Sequence, residues 1–246
     1  MKVVLLGTGG YFPTPRRQTA CVLLPEVGVT LDAGTGMHRI GKYLQSDRLD
    51  IFLSHAHLDH VAGLTYLINV VPQQILPSTV VHGDTAVLAA VRDHLFAKPI
   101  FPVAPAFRFS TIAEECPLPH GGTLTPIPLK HPGGSLGFRL DWPGHSLAYI
   151  TDTTATENAA YADYIRGVDL LLHECYFADD ANNWPAITGH SALTAVARLA
   201  AAAQPRRVVL LHIDPLIEAA TPFELSAARQ LFPEISLGND LDELEF

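Results

Sequence analysis

Basic side chains are scarce in this chain. Lys and Arg together number 16 in 246 residues, against 25 Asp and Glu, and the formal charge is -9. A protein that grips long polyanions normally offers a basic face, so no extended nucleic-acid surface is expected unless metal ions supply positive charge locally. Cysteine is sparse too: Cys21, Cys116 and Cys175 lie far apart and form no CxxC pair. That excludes a disulfide framework and a cysteine zinc site, and it fits a reducing cytoplasm. No apolar run approaches the roughly 18 residues that a membrane helix needs. The apolar opening Val3-Val4-Leu5-Leu6 is broken at Gly7-Thr8-Gly9-Gly10, too soon for a secretory signal, and reads as a buried first strand. No linker or low-complexity stretch divides the chain, which predicts a single domain over residues 1–246.

What is present is an apolar fraction of 48%, enough for a sizeable core, arranged as short β-segments. Lys2–Gly7, Ala20–Leu24, Gly28–Asp32, Asp50–Ser54 and Thr79–His82 are apolar, β-branched-rich runs with turn residues at their ends. Thr85–Phe96 places Val87, Leu88, Val91 and Leu95 at helical spacing. The Pro-rich passage Lys98–Pro119 reads as loop with one strand. The second half repeats this grammar, with strands over Leu124–Leu129, Ser135–Leu140, Ser146–Thr151, Val168–His173 and Arg207–His212. Helices are expected at Ala155–Ile165, at Ser191–Ala203 with Ser191 as cap, and at Pro222–Leu231 with Thr221 as cap. Two β-rich halves with helices predict an α/β fold, an αββα four-layer sandwich.

The segment "SHAHLDHVAGL" crowds His55, His57 and His60 around the carboxylate of Asp59. Imidazoles repel when protonated, and a metal ion is what makes such crowding favourable. On a strand, His55 and His57 would share a face, while Asp59 and His60 follow as the chain turns. Zinc favours His nitrogen and Asp oxygen and keeps a position open for water in catalytic sites. Three strand ends of the second half carry further candidates: His131, Asp152 and His212. Each alone also fits a loop or capping residue. Together they complete a two-ion set, with His55, His57 and His131 on one ion, Asp59, His60 and His212 on the other, and Asp152 bridging. His38, His82, His94, His120 and His145 read as structural or surface residues, and His120, the rival to His131, precedes its strand rather than following one.

This HxHxDH signature resembles that of the metallo-β-lactamase fold superfamily, with His131, Asp152 and His212 where that family places its later ligands. "LLGTGGYFPTPRRQTACVLL" followed by "TLDAGTGMHRI" is similar to the opening of ribonuclease Z and its phosphodiesterase relatives. "DLLLHECYF" and "GHSALTAVARLA" resemble that branch's HEAT-type and HST-type segments. The likeness runs from residue 1 to about residue 214. It departs in two places. The segment between Asp152 and Asp169 has no room for the tRNA-gripping arm of ribonuclease Z, and Ile213-Asp214-Pro215 replaces the usual Ser-x-Arg-Tyr continuation.

The resemblance implies hydrolysis of phosphodiester bonds by a hydroxide bridging two divalent ions, most simply zinc, with manganese or iron as alternatives. It assigns His190 as the proton donor to the leaving alkoxide and Glu174 as its orienting partner; His190 would otherwise cap the following helix. Asp59 would also orient the attacking water. Asp32 reads as a support for a ligand histidine or as an ordinary turn residue. Arg16 and Arg17 read as contacts to a substrate phosphate or as a solvated charge pair. The expected substrate is a small phosphodiester or short nucleic acid. A cyclic-nucleotide phosphodiesterase and a lactone or thioester hydrolase are the alternatives, and tRNA 3′-end processing and a non-catalytic metal protein rank behind them. A homodimer is compatible with the sequence.

Overall fold

A computed structural model describes residues 1–217 and 222–246. The described residues form two compact units, Met1–Glu114 with Asp240–Glu245, and Glu115–Asn239 with Phe246.

The first unit is built on a seven-stranded mixed sheet. Its strands are β1 (Lys2–Gly7), β2 (Cys21–Leu24), β3 (Val29–Leu31), β4 (Asp50–Phe52), β5 (Val80–Gly83), β6 (Arg108–Thr111) and β14 (Glu243–Glu245), in the order β14-β1-β2-β3-β4-β5-β6. The β14, β1, β2 and β3 neighbours pair antiparallel, and β3 through β6 pair parallel. Alternate residues such as Val4 and Leu6, Cys21 and Leu23, and Ile51 and Leu53 share one buried cluster with Met37, Ile40, Leu64 and Leu67. This is the period-two pattern of a sheet face packed on helices. The cover comprises a 3-10 helix at Thr35–Lys42, α1 (Leu58–Val61), α2 (Leu67–Val70) and α3 (Thr85–Ala90). Asp84 caps α3 by accepting from Val87 N at 2.8 Å, and a π turn, Val91–Leu95, continues it.

The second unit repeats the pairing pattern. It contains β7 (Cys116–Leu118), β8 (Gly122–Leu129), β9 (Ser135–Trp142), β10 (His145–Ile150), β11 (Leu170–Glu174), β12 (Val208–Leu211) and β13 (Ile235–Leu237), in sequence order across the sheet. The first four pair antiparallel and β10 through β13 parallel. Its helices are α4 (Trp184–Thr188), α5 (Leu193–Ala203) and α6 (Ser226–Leu231). Val196, Ala200 and Ala203 of α5 pack into one cluster with Ile150, Leu171, Val208 and Leu210. At roughly 25 cal/mol per Å² of apolar area, such fully buried aliphatic faces dominate the stability of each sheet.

Several expected elements differ. Ala155–Ile165 is a series of turns rather than a helix, held by i to i+3 bonds such as Ala159 N to Thr156 O and Ala162 N to Ala159 O. Two of its residues are claimed by other partners: Ala155 N donates to Ser191 Oγ at 2.9 Å, and the Tyr161 hydroxyl is tied to His173. Ser191 therefore does not cap α5; the N-cap is Ala192, without a side-chain bond, and Ser191 Oγ donates to Thr153 O at 2.7 Å. Lys98–Pro119 holds two strands, β6 and β7, not one. The last helix starts at Ser226, and Thr221 lies outside the described residues. Among the described residues, no helix is long and apolar enough to cross a membrane.

Candidate metal centre

In the first unit the donors gather where β3 and β4 end. Strand β4 stops at Phe52, so His55 and His57 stand on the loop that follows, not on the strand that their spacing suggested. The backbone leaves the ladder because Ser54 N donates to Asp32 Oδ1 at 2.7 Å instead of to a neighbouring strand. His57 is the N-cap residue of α1, extended at φ -64° and ψ 146°. The four-residue α1 then carries Asp59 and His60. The His55 ring centroid lies 4.4 Å from that of His57 and 4.2 Å from that of His60.

Asp32 organises this group. It is fully buried and holds a left-handed backbone at φ 58°, a conformation that Asp tolerates better than most residues. Its carboxylate accepts from Ser54 N, from Ser54 Oγ at 2.8 Å and from His60 Nδ1 at 2.8 Å. With its own proton given to Asp32, Ser54 Oγ accepts from His55 Nδ1 at 2.9 Å. Both imidazoles are thus fixed as Nδ1–H tautomers, which place the lone pair on Nε2. His60 Nε2 faces Asp59 Oδ2 at 3.4 Å. A lone pair facing a carboxylate is repulsive on its own and attractive with a cation between them. That is the chemistry of a metal donor set. Asp59 is held in turn by the amide of Tyr11, which donates to Oδ2 at 2.8 Å.

The second unit repeats the device. His131, in the turn after β8, donates from Nδ1 to Gly189 O at 3.1 Å, and its Nε2 faces Asp152 Oδ2 at 3.5 Å. His212 Nε2 lies 3.2 Å from Asp152 Oδ1. Donor atoms of Asp152, His190 and His212 lie within 4.8 Å of one another. Asp152 follows β10 and His212 follows β12, as the strand-end reading expects, and both hold positive φ, 40° and 53°. Non-glycine residues held there mark sites whose surroundings over-determine the backbone.

Glu174, buried at the end of β11, presents Oε1 to His190 Nδ1 at 3.2 Å. The same carboxylate accepts from Thr153 N at 2.8 Å and from Ser191 N at 3.2 Å. His190 stacks on Tyr176 at 4.8 Å and on His212 at 5.3 Å between centroids. Its side chain is 14% exposed, so the ring can reach a solute while its other nitrogen is held.

The two arginines part company. Arg16 is exposed, whereas Arg17 is buried and donates to Thr8 Oγ1. Burial holds the Arg17 guanidinium below its ordinary pKa, with nearby Asp240 opposing. Arg17 therefore points into the protein and not toward a substrate phosphate. Three supporting residues escaped the sequence reading: Ser54, Gly189 and the amide of Tyr11. Ser54 is adjacent to the motif and had a signal in its hydroxyl. The other two act through backbone atoms and had none.

The model of the β-lactamase superfamily domain matches residues 29–213. Ribonuclease Z of Methanosarcina acetivorans is 25% identical over an alignment of 307 positions, covering 100% of this chain and 98% of that protein. The solved metallo-β-lactamase fold protein YhfI of Bacillus subtilis superposes with a TM-score of 0.80 at 19% identity, over 99% of each chain. The human short-form tRNase Z does so at 0.76 and 22%, over 100% of this chain and 99% of that one. These likenesses give the α/β sandwich of the metallo-β-lactamase fold. The chain belongs to the β-lactamase superfamily, in the ribonuclease Z and phosphodiesterase-like branch, and is a metal-dependent hydrolase.

Proposed function

We propose that this hydrolase cleaves phosphodiester bonds with two divalent ions, most simply zinc, held by seven side chains. His55, His57 and His131 would serve one ion, Asp59, His60 and His212 the other, and Asp152 both. On this reading residues 1–246 act as one catalytic domain. Bound divalent ions lower the pKa of water from 15.7 to about 7 and offset the charge that builds up at phosphorus.

The chain's own residues supply the rest. Asp59, oriented by the Tyr11 amide, accepts a hydrogen bond from the attacking water and aims it. Arg16 remains available at the surface to meet a substrate phosphate. The leaving alkoxide needs a proton, and His190 is placed to give it. Glu174 accepts from His190 Nδ1 and so fixes which ring nitrogen faces outward. This contact, Glu174 Oε1 to His190 Nδ1 at 3.2 Å, is the observation that carries the reading. A lactone or thioester hydrolase, the second reading, has far less need of a proton donor for its leaving group.

The substrate is a small phosphodiester or a short nucleic acid, and the name of the ribonuclease Z relative supports phosphorus chemistry. Three buried cysteines outside any disulfide support a cytoplasmic location. The deciding experiment assays Asp59→Ala on bis(p-nitrophenyl) phosphate with zinc or manganese. Loss of turnover is expected, and full turnover removes the two-ion proposal. A parallel panel of lactones and S-acyl thiols, on which the parent enzyme should be slow, separates the second reading.

A further inference from the structure

Beside His131, the second unit holds a cavity of about 670 Å³. Small-molecule sites span about 300–1,000 Å³, so this one has the size to enclose a nucleoside-sized group. One wall is the end of β8 and the turn after it, the second is the run of turns after Asp152, and the third is α4. The walls are tied together. Thr154 Oγ1 donates to Pro185 O at 3.2 Å, which joins the turns to α4. Gly189, the left-handed cap of α4 at φ 74°, accepts from His131. A side chain at Gly189 would place its Cβ 2.7 Å from Pro132 Cδ and 3.0 Å from His131 Nδ1, so only glycine lets α4 come this close. The cavity and the candidate ligand His131 therefore share one anchor.

The lining has a definite chemistry. Leu129, Pro132, Ala160 and Ile187 give apolar surface, while Thr154, Thr156 and Asn158 bring hydroxyl and amide groups. None of the described lining residues is Asp or Glu, although acids outnumber bases 25 to 16 in the whole chain. Lys130 contributes the ammonium. Binding a nucleic-acid strand takes several cations along the backbone and aromatic rings for the bases. Here there is one lysine, and the lining's one aromatic residue, Tyr161, is buried with its hydroxyl on His173.

We propose that this cavity is the subsite for the organic group of a small phosphodiester: nucleoside-sized, hydroxyl-bearing, with a second anionic group met by Lys130. The inference rests on the phosphodiester reading and selects a small ester over an RNA strand. It predicts specificity from residues outside the metal donor set.

Ala186→Trp, on the exposed face of α4, fills the cavity. The readout is kcat/KM for thymidine 5′-(p-nitrophenyl phosphate) divided by that for methyl p-nitrophenyl phosphate. A ratio is insensitive to a fraction of unfolded protein. It should fall at least tenfold; an unchanged ratio overturns the proposal. A parent enzyme that hydrolyses neither ester removes the phosphodiester reading, and the cavity is then judged by calorimetry with thymidine 5′-monophosphate. Tenfold weaker binding by Ala186→Trp supports the subsite, and equal or absent binding in both proteins overturns it. Lys130→Ala should weaken thymidine 3′,5′-bisphosphate more than the 5′-monophosphate, and equal effects overturn the role of Lys130.

Discussion

Nδ1 of His60 donates to Oδ2 of Asp32 at 2.8 Å, and both side chains are fully buried. A carboxylate behind an imidazole sets the tautomer and raises the basicity of the other nitrogen, and losing such a partner typically weakens metal binding about 10–100-fold. Asp32→Ala should show that loss for zinc in a chelator competition. Ser54→Ala, which removes one contact to Asp32 and one to His55, should weaken binding less. Unchanged affinity in both variants would show that the tautomer lock does not matter.

His190 and Glu174 make a prediction about leaving groups. General acid catalysis contributes about 10²–10⁴-fold where the departing oxygen is a poor leaving group. His190→Ala should therefore slow alkyl phosphodiesters by that order and nitrophenyl esters far less. Equal losses on both would remove the acid role and leave His190 as a binding residue.

Asp240 predicts stability rather than activity. Its carboxylate accepts from Thr8 N at 3.0 Å, Thr8 Oγ1 at 2.7 Å and Gln18 N at 2.7 Å, and pairs with Arg39 at 2.6 Å. Hydrogen bonds to charged groups contribute about 1.5–3 kcal/mol each, with incomplete additivity. Asp240→Ala should lower unfolding free energy by about 3 kcal/mol, seen as a lower urea midpoint with the slope unchanged.

The pH dependence has a defined sign at His173. Burial holds its imidazole below the usual pKa, with the Glu174 carbonyl and carboxylate opposing. The ring is neutral: Nδ1 donates to Glu174 O at 2.7 Å, and Nε2 accepts from the Tyr161 hydroxyl at 2.9 Å. Below about pH 6.5 the unfolded chain takes up a proton that the folded ring refuses. Stability is therefore full above that value and falls as the pH drops toward the folded pKa. Chelator-treated His173→Gln should show a shallower decline between pH 6.5 and 5 than the chelated parent protein, measured by urea unfolding. Identical slopes would place the acid sensitivity elsewhere.

The donor set was legible because its residue types are costly to crowd for any other purpose, and because strand ends position them. The strand pattern was legible from Val, Ile and Leu runs closed by turn residues. Local conformation was less so. His55 and His57 have strand spacing, but Asp32, distant in sequence, captures the Ser54 amide and ends the strand first. Ala155–Ile165 has helical composition, yet Ser191 and His173 hold its two anchor points, and their pull on Ala155 and Tyr161 outweighs propensity. The hydrogen bond from His131 to Gly189 was illegible, since it uses a carbonyl oxygen that every residue carries.

Strand β14 lies against β1, with Lys2 opposite Glu245 and Val4 opposite Glu243. Residues 240–245 are translated only after residues 115–239 of the second unit, while folding on the ribosome generally proceeds from the N-terminus. The earliest-made sheet must therefore wait with β1 as a bare edge, open to pairing with another nascent chain. Chaperone demand during synthesis should track this delay, and a ribosome stalled before residue 240 should hold the first unit in its most aggregation-prone form.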